Sequence, residues 1–275
     1  MNLYNSIKLF IHPRVMTMLF LGFSAGVPIL LIFSTLGLWL NEAGVVKSTI
    51  TFFSWAALGY SFKFVWAPLV DRLPLPVITR ALGRRRAWML VSQLAIMGAI
   101  LLMSSVDPKA SVDSLTIMAY GAVLLGFSSA TQDIVIDAYR IESADMDLQS
   151  MLSATYIAGY RIGMLVAGAG GLFIASYLGS TKEIYSFDAW SGTYLIMAGV
   201  MLIGVATTLI INEPKSERKE TEFSTADYSK FFLLFLSIVV AFIFTFIVTA
   251  DFIKTAKGIL TDIFANRHLS GFIVG

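Results

Sequence analysis

Residues 15–40 read VMTMLFLGFSAGVPILLIFSTLGLWL, an apolar run with no ionisable side chain. A helix needs roughly 20 apolar residues to cross a bilayer core, and this run exceeds that. It is too long for the core of a secretory leader and has no small-residue cleavage site behind it, so it reads as a retained transmembrane helix. Six further runs follow: Ser48–Val70, Ala87–Val106, Ser114–Ile136, Ser150–Leu178, Trp190–Ile211 and Phe231–Ala250. They are rich in Leu, Ile, Met, Ala and Gly and lack period-two alternation, which argues for helices and against a β-barrel. The expected fold is an all-α polytopic membrane protein with seven spans.

Composition agrees. Of 275 residues, 57% are apolar and 14% charged, whereas a soluble domain carries about a quarter charged residues. A water-soluble chain of this size would lack a charged coat, so the lipid bilayer is the expected surrounding. A net charge of +2 gives nucleic acid no electrostatic hold. Cysteine is absent, and the two histidines, His12 and His268, lie far apart. No metal centre and no cofactor is therefore expected.

Lys and Arg mark the cytoplasmic side of a span. Lys8 and Arg14 precede the first span. Arg72, Arg80, Arg84, Arg85 and Arg86 lie between the second and third, Arg140 after the fourth, and Lys215, Arg218, Lys219 and Lys230 after the sixth. The alternate loops carry Lys47, Lys109 and Lys182. This pattern predicts a cytoplasmic N-terminus. The charged stretch Glu213–Lys230, with Pro214, reads as a solvated linker between a six-span unit at 1–212 and a segment at 231–275 holding the seventh span. Asp251–His268 mixes Ile253, Leu260 and Phe264 with Lys254, Lys257 and Asp262, a pattern suited to the membrane interface. The final Ser270-Gly-Phe-Ile-Val-Gly275 looks like the start of another apolar run, so the expectation is an N-terminal portion lacking its C-terminal half, or a half that pairs with a second copy. An echo between Leu21-Gly-Phe-Ser-Ala25 and Leu125-Gly-Phe-Ser-Ser-Ala130 suits a nested three-helix repeat, though two Leu/Gly/Ser-rich helices also match by chance.

Ionisable groups inside spans cost several kcal/mol or more and are functional candidates by default. Four stand out: Lys63 in the second span, Asp133 and Asp137 in the fourth and Arg161 in the fifth. Counting residues from the arginine-rich loops places Lys63 about 12 Å deep and Arg161 about 16 Å deep, so two cations and two anions share one half of the bilayer. Mutual pairing is the cheapest arrangement. Asp133 and Asp137 are one turn apart, with Arg140 continuing their stripe. Two such carboxylates do not both ionise cheaply in a low dielectric unless a cation intervenes, and a carboxylate that gains and loses a proton is what proton-coupled transport uses. The competing reading is a static charge network clamping three helices. The fork of Arg161 also suits an anionic substrate group.

Gly159, Gly163, Ala167 and Gly171 recur every four residues in the fifth span, a ridge that permits close packing. Gly22 and Gly26, followed by Pro28, form a weaker ridge with an expected kink. Trp39, Trp66, Trp88 and Trp190 near span ends read as interfacial anchors. Tyr60, Tyr156 and Tyr160 suit either a cavity for a sugar-containing ligand or the core.

The loop Asp71-Arg72 … Gly83-Arg84-Arg85-Arg86 resembles the Asp-Arg … Gly-Arg-Arg signature of the major facilitator superfamily, lengthened by the insertion Leu73–Leu82. The match narrows with Gly22-Phe-Ser-Ala-Gly-Val-Pro28, Phe62-Lys-Phe-Val-Trp-Ala-Pro-Leu-Val-Asp-Arg72, Leu82-Gly-Arg-Arg-Arg-Ala-Trp88, Ser129-Ala-Thr-Gln-Asp-Ile-Val-Ile-Asp-Ala-Tyr139 and Gly159-Tyr-Arg-Ile-Gly-Met164. Together these resemble the AmpG family of anhydromuropeptide permeases, with acetyl-CoA transporters as a related branch. The resemblance implies a major-facilitator six-helix bundle plus a seventh helix in the bacterial inner membrane. It implies proton-driven import of anhydro-sugar muropeptides, products of peptidoglycan turnover, from periplasm to cytoplasm by alternating access. By motif match it assigns Gln132, Asp133 and Asp137 to a polar stretch, Lys63 and Arg161 to cations, and Asp71, Arg72, Arg84, Arg85 and Arg86 to a cytoplasmic latch. Members are about twice this length, and the resemblance fades after residue 212.

Other readings exist. Asp133-Ile-Val-Ile-Asp137 has the D-x-x-x-D spacing with which polytopic prenyltransferases hold Mg²⁺-diphosphate, but the second facing acidic cluster is missing from the sequence. A receptor that binds without transport would need no titrating carboxylate. A transporter of another anionic cargo, such as acyl-CoA, keeps the architecture and changes the pocket.

Overall fold

A computed structural model describes residues 12–53, 58–75, 77–144, 146–214 and, beyond these, 229, 230, 233, 234 and 237. The chain divides into two compact units, Met1–Glu220 and Thr221–Gly275. The division falls inside the charged stretch 213–230. In the second unit the few described residues are helical. Apart from these, the expected seventh span and the segment after it lie outside the described residues.

The first unit is built of helices α1 (Pro13–Ile32), α2 (Ser34–Glu42), α3 (Lys47–Phe53), α4 (Leu58–Phe62), α5 (Ala67–Arg72), α6 (Ile78–Leu82), α7 (Arg84–Ser104), α8 (Val112–Ser143), α9 (Met146–Leu165), α10 (Gly171–Tyr177), α11 (Phe187–Val200) and α12 (Leu202–Ile210). Among the described residues, five stretches are long and apolar enough to cross a membrane: Pro13–Glu42, Arg84–Ser104, Val112–Ser143, Met146–Tyr177 and Phe187–Ile210. They match the first, third, fourth, fifth and sixth expected spans. Local chemistry sets several starts. Ser111 Oγ accepts the Ser114 N–H ahead of α8 at 3.0 Å, and Ser186 Oγ accepts the Ala189 N–H ahead of α11 at 3.3 Å, each filling one of the unpaired donors of a first turn.

The second expected span departs from a continuous helix. It comprises α3, α4, a 3₁₀ turn at Lys63–Val65 and α5. Pro68 explains the break, because it has no N–H to donate and crowds the helical conformation of the residue before it. The chain tightens and restarts with the proline in the first turn of α5. The first span breaks at Phe33 (φ −93°, ψ −86°), a few residues after Pro28. The fifth is interrupted by a π-helical turn, Val166–Gly170, between α9 and α10. Thr35 Oγ1 donates to the Ala167 carbonyl inside that turn at 3.0 Å, so the two interruptions are cross-linked.

The glycine ridges of the first and fifth spans are two halves of one seam. A Cβ on Gly22 would land on the Tyr156 carbonyl, and one on Gly26 on the Tyr160 carbonyl. In return, Gly159 faces the Leu19 carbonyl and Gly163 the Phe23 carbonyl. Residue numbers rise together along both helices, so α1 and α9 run parallel, in backbone-to-backbone contact that only glycine permits. Gly171 is outside this seam: a Cβ there would meet Thr35 Cγ2 at 3.5 Å and Thr193 Cγ2 at 3.8 Å, ordinary distances.

Three of the four tryptophans correct the interfacial-anchor expectation, and half-buried Trp88 does not. Trp39 and Trp190 are fully buried and stack on each other at 5.8 Å with planes 4° apart. Tyr194 packs on Trp39 at 4.7 Å and donates its hydroxyl to the Leu31 carbonyl at 2.9 Å. Trp66 is also buried, donating to Thr131 Oγ1 at 3.1 Å. Trp88 donates to the Leu73 carbonyl at 2.7 Å. A buried indole needs a partner for its N–H, and the other two buried ones have theirs as well: Trp39 reaches the Tyr185 hydroxyl at 3.3 Å and Trp190 reaches Glu42 Oε2 at 2.7 Å.

Candidate functional site

A polar seam joins the lower part of the second span to α8. Gly59 lies against the backbone of Gly126 and Phe127, which brings three side chains across. Tyr60 donates to Ser129 Oγ at 2.6 Å, Trp66 bonds Thr131 as above, and Lys63 Nζ sits 3.7 Å from Asp133 Oδ2. The 3₁₀ turn presents Lys63 at this point. Asp133 is buried, 7% exposed, and its other oxygen accepts from the Tyr156 hydroxyl at 3.4 Å. Asp137, one turn on, has a half-exposed side chain and pairs with Arg140 at 3.3 Å. Gln132 points the other way, donating to Ser24 Oγ on α1 at 3.2 Å. Nearby on α12 and α7, Thr208 donates to Gln93 Oε1 at 2.9 Å.

Arg161 does not join the carboxylates. Among the described residues it forms no ion pair, and it is exposed. Helical rotation is the reason: Gly159 and Gly163 face α1, and a residue midway between them projects from the opposite side of α9. The expected four-charge pairing is therefore two separate pairs, Lys63–Asp133 and Asp137–Arg140, with Arg161 on an open face beside half-buried Tyr160. The rings of Tyr156 and Tyr160 lie 6.0 Å apart.

The second cluster stands at the arginine-rich end. Arg85 is 2% exposed. Its Nη2 donates to Asp71 Oδ1 and Glu142 Oε1, each at 2.5 Å, and its Nε donates to Glu142 Oε2 at 2.8 Å. Glu142 thus receives the guanidinium as a two-pronged fork. Arg86 donates to the carbonyls of Thr208 at 2.9 Å and Leu209 at 2.7 Å, and the Tyr139 hydroxyl donates to the Asn212 carbonyl at 3.2 Å. Glu213 accepts the backbone N–H groups of Arg85 and Arg86. Arg84 has a buried Nε, and Arg72 is exposed. Sequence reasoning found Asp71 and the arginines but missed Glu142 and Glu213. Glu142 carried a weak signal as an acidic residue at the end of the helix bearing Asp133. Glu213 sat at the first position of a stretch read as linker.

At the opposite end, the Tyr185 hydroxyl donates to Asp107 Oδ1 at 2.6 Å while accepting from Trp39, and Lys109 Nζ lies 5.5 Å from its ring centre. Burial, aided by the bond to Asp107, pushes the Tyr185 phenol above its usual range. Glu42 Oε2 accepts from Ser180 Oγ as well as from Trp190, both at 2.7 Å.

Comparison with known proteins adds the family. Residues 15–261 match the profile of the Major Facilitator Superfamily. The chain is 35% identical over 218 residues to "Putative transporter AmpG 4" of Rickettsia felis, an alignment covering 79% of this chain and 50% of that protein. It is 36% identical over 209 residues to the "Anhydromuropeptide permease" of Escherichia coli K12, covering 76% and 39% respectively. To "Putative transporter AmpG 1" of Rickettsia conorii it is 29% identical over 194 residues, covering 70% and 45%. The chain thus spans about half the length, or less, of these relatives.

Proposed function

The chain belongs to the major facilitator superfamily, and on that premise we propose that it forms the first six spans of a proton-coupled permease, not an enzyme, importing anhydromuropeptides from periplasm to cytoplasm. In this reading the N-terminus is cytoplasmic, the membrane is the bacterial inner membrane, and a second half or a second copy of the chain completes the cavity. The residues after 212 supply a linker and a seventh span. No cofactor is required, because the proton gradient supplies the energy.

The observation that carries the reading is the Lys63–Asp133 pair, a buried carboxylate held 3.7 Å from a cation across two helices. A charge pair at this depth is costly and is repaid if its making and breaking is the working step. Ionised, Asp133 ties the second span to α8. Protonated, it loses its electrostatic hold on Lys63, and the two elements are free to shift in response. Asp137, half-exposed and paired with Arg140, is the second carboxylate of the pathway. Gln132 holds α8 to α1 through Ser24, keeping the moving carboxylate at constant height. Arg161 and the Tyr160 ring supply a forked cation and an apolar plate for an anionic, sugar-bearing cargo. Asp71 and Arg84–Arg86, with Glu142 and Glu213, form the cytoplasmic latch, and exposed Arg72 flanks it.

The test is energised uptake of a radiolabelled anhydromuropeptide in cells lacking their own permease. Asp133→Asn abolishes accumulation against a gradient while the protein remains in the membrane. Normal accumulation in that variant removes Asp133 from the mechanism.

A further inference from the structure

Asp133 has two oxygens and two partners from different elements. Lys63 on the 3₁₀ turn takes Oδ2, and Tyr156 on α9 gives its hydroxyl hydrogen to Oδ1 at 3.4 Å. Tyr60 from α4 and Tyr160 from α9 lie within electrostatic reach of the same carboxylate, as does Asp137 on its own helix, and Arg161 stands beyond Tyr160. Tyr156 shares with Tyr160 a backbone pinned against a glycine of α1, and of the two it is the one whose hydroxyl is hydrogen-bonded to Asp133. Its carbonyl oxygen lies where a Cβ on Gly22 would be, and Gly159, three residues on, presses against the Leu19 carbonyl. The tyrosine's backbone is therefore set by the tightest helix contact in the bundle, while its hydroxyl reaches the buried carboxylate.

We infer that Tyr156 is a positioning residue for Asp133, the link by which loading of that carboxylate is passed to the α1–α9 seam. This rests on the reading of Asp133 as the proton carrier. Lys63 responds to the charge of the carboxylate, and Tyr156 fixes its orientation: the phenol donates to the carboxylate when Asp133 is ionised and to its carbonyl oxygen when protonated, so one oxygen stays anchored to α9 through the cycle. The other oxygen is left to Lys63 or to the proton. Because α9 cannot slide on α1 without carrying its carbonyls off the glycines and onto neighbouring residues that bear a Cβ, a change in the Asp133–Tyr156 distance is transmitted to both helices together.

The experiment compares energised uptake with equilibrium exchange of a radiolabelled anhydromuropeptide, in the full protein in its membrane. Tyr156→Phe keeps the ring and removes the donor. The expected result is a fall of about tenfold in energised uptake, the size of one lost hydrogen bond, with exchange held within about twofold and KM unchanged. A parallel loss of both activities marks a merely structural residue, a rise in KM at constant maximal rate places Tyr156 on the substrate, and no change leaves it idle; each overturns the inference. If Tyr156→Phe fails to reach the membrane, 3-fluorotyrosine at 156 replaces it, retaining shape and strengthening the donor. The infrared carboxyl band lost in Asp133→Asn then moves to lower frequency if the bond exists and stays in place if it does not. Retention of energised uptake by Asp133→Asn overturns the proton-carrier reading itself, a different result from any obtained with Tyr156.

Discussion

Glu213 caps a helix that begins far upstream of it: its Oε1 accepts the Arg85 backbone N–H at 2.7 Å across a separation of 128 residues, and Oε2 takes the Arg86 N–H at 3.0 Å. The first turn of α7 has unpaired donors and the positive end of a helix dipole, and a carboxylate satisfies both. The exit of the sixth span is thereby fixed to the entry of the third, with Arg86 returning the contact through the Thr208 and Leu209 carbonyls.

Removing that cap destabilises the arginine-rich end. Glu213→Ala costs about 1–2 kcal/mol, and Glu213→Gln, which keeps an acceptor but no charge, costs less. Thermal unfolding of the purified protein in detergent reads the order wild type, Gln, Ala. Equal Tm values for all three would mean that the cap holds nothing.

Arg85 and Arg72 belong to one motif but differ in effect. Arg85→Ala leaves Asp71 and Glu142 facing each other without their cation, a loss of about 3–5 kcal/mol. Arg85→Lys recovers part of it, because an ammonium cannot serve Glu142 as a fork. Arg72→Ala, at an exposed site, changes stability by less than about 0.5 kcal/mol. Comparable losses at the two positions would refute this division.

The glycines sort by what a methyl group would meet. Gly22→Ala, Gly26→Ala, Gly159→Ala and Gly163→Ala each drive a Cβ into a backbone carbonyl, with no flexible side chain to yield, and each prevents the native α1–α9 approach. Gly98→Ala and Gly199→Ala meet nothing within 4 Å and stabilise their helices by up to about 1 kcal/mol. Gly171→Ala is tolerated. Folded protein recovered from membranes, measured by fluorescence-detected size exclusion, ranks the variants.

Tyr185 sets a limit at alkaline pH. Burial and its bond to Asp107 raise the phenol above its ordinary value of 10.0. The folded protein therefore keeps a proton that the unfolded chain releases, and the stability this group provides, complete below about pH 10, drains away as pH rises further. Tyr185→Phe flattens that decline between about pH 10 and 11 relative to wild type. Identical pH slopes for the two proteins would dismiss the effect.

How much of this was legible in the sequence depends on the range of the interaction. Span length is a local property, so the apolar runs at 15–40, 87–106, 114–136, 150–178 and 190–211 reappear as helices with ends moved by several residues. The paired Gly-x-x-x-Gly motifs at 22–26 and 159–163 were also visible, but not that they face each other. Opposite charges in the second and fourth spans made a Lys63–Asp133 pair legible; for Arg161 rotation about the helix axis decides the outcome, and its position along the span does not reveal it. Pro68 was in plain view inside the second span, and the run of apolar residues around it hid the break. Trp39 and Trp190 sit near span ends, as interfacial anchors do, and nothing near either residue announces a stacking partner in a distant span. Glu142 and Glu213 find Arg85 across 57 and 128 residues, a pairing that only the assembled bundle selects.

The π-helical turn at Val166–Gly170 has a consequence for how this span can change over time. A π turn amounts to one extra residue in an α-helix, so everything beyond it is rotated out of phase with the Gly159–Gly163 ridge, which is why Gly171 leaves the stripe that its spacing of four would continue. The segment Gly171–Tyr177 is indexed separately from the one before the turn. Losing or gaining a single residue in that turn would re-aim the face of the later segment by roughly 100° while the glycine seam stayed in register, so the two ends of one membrane helix are free to diverge under different selection.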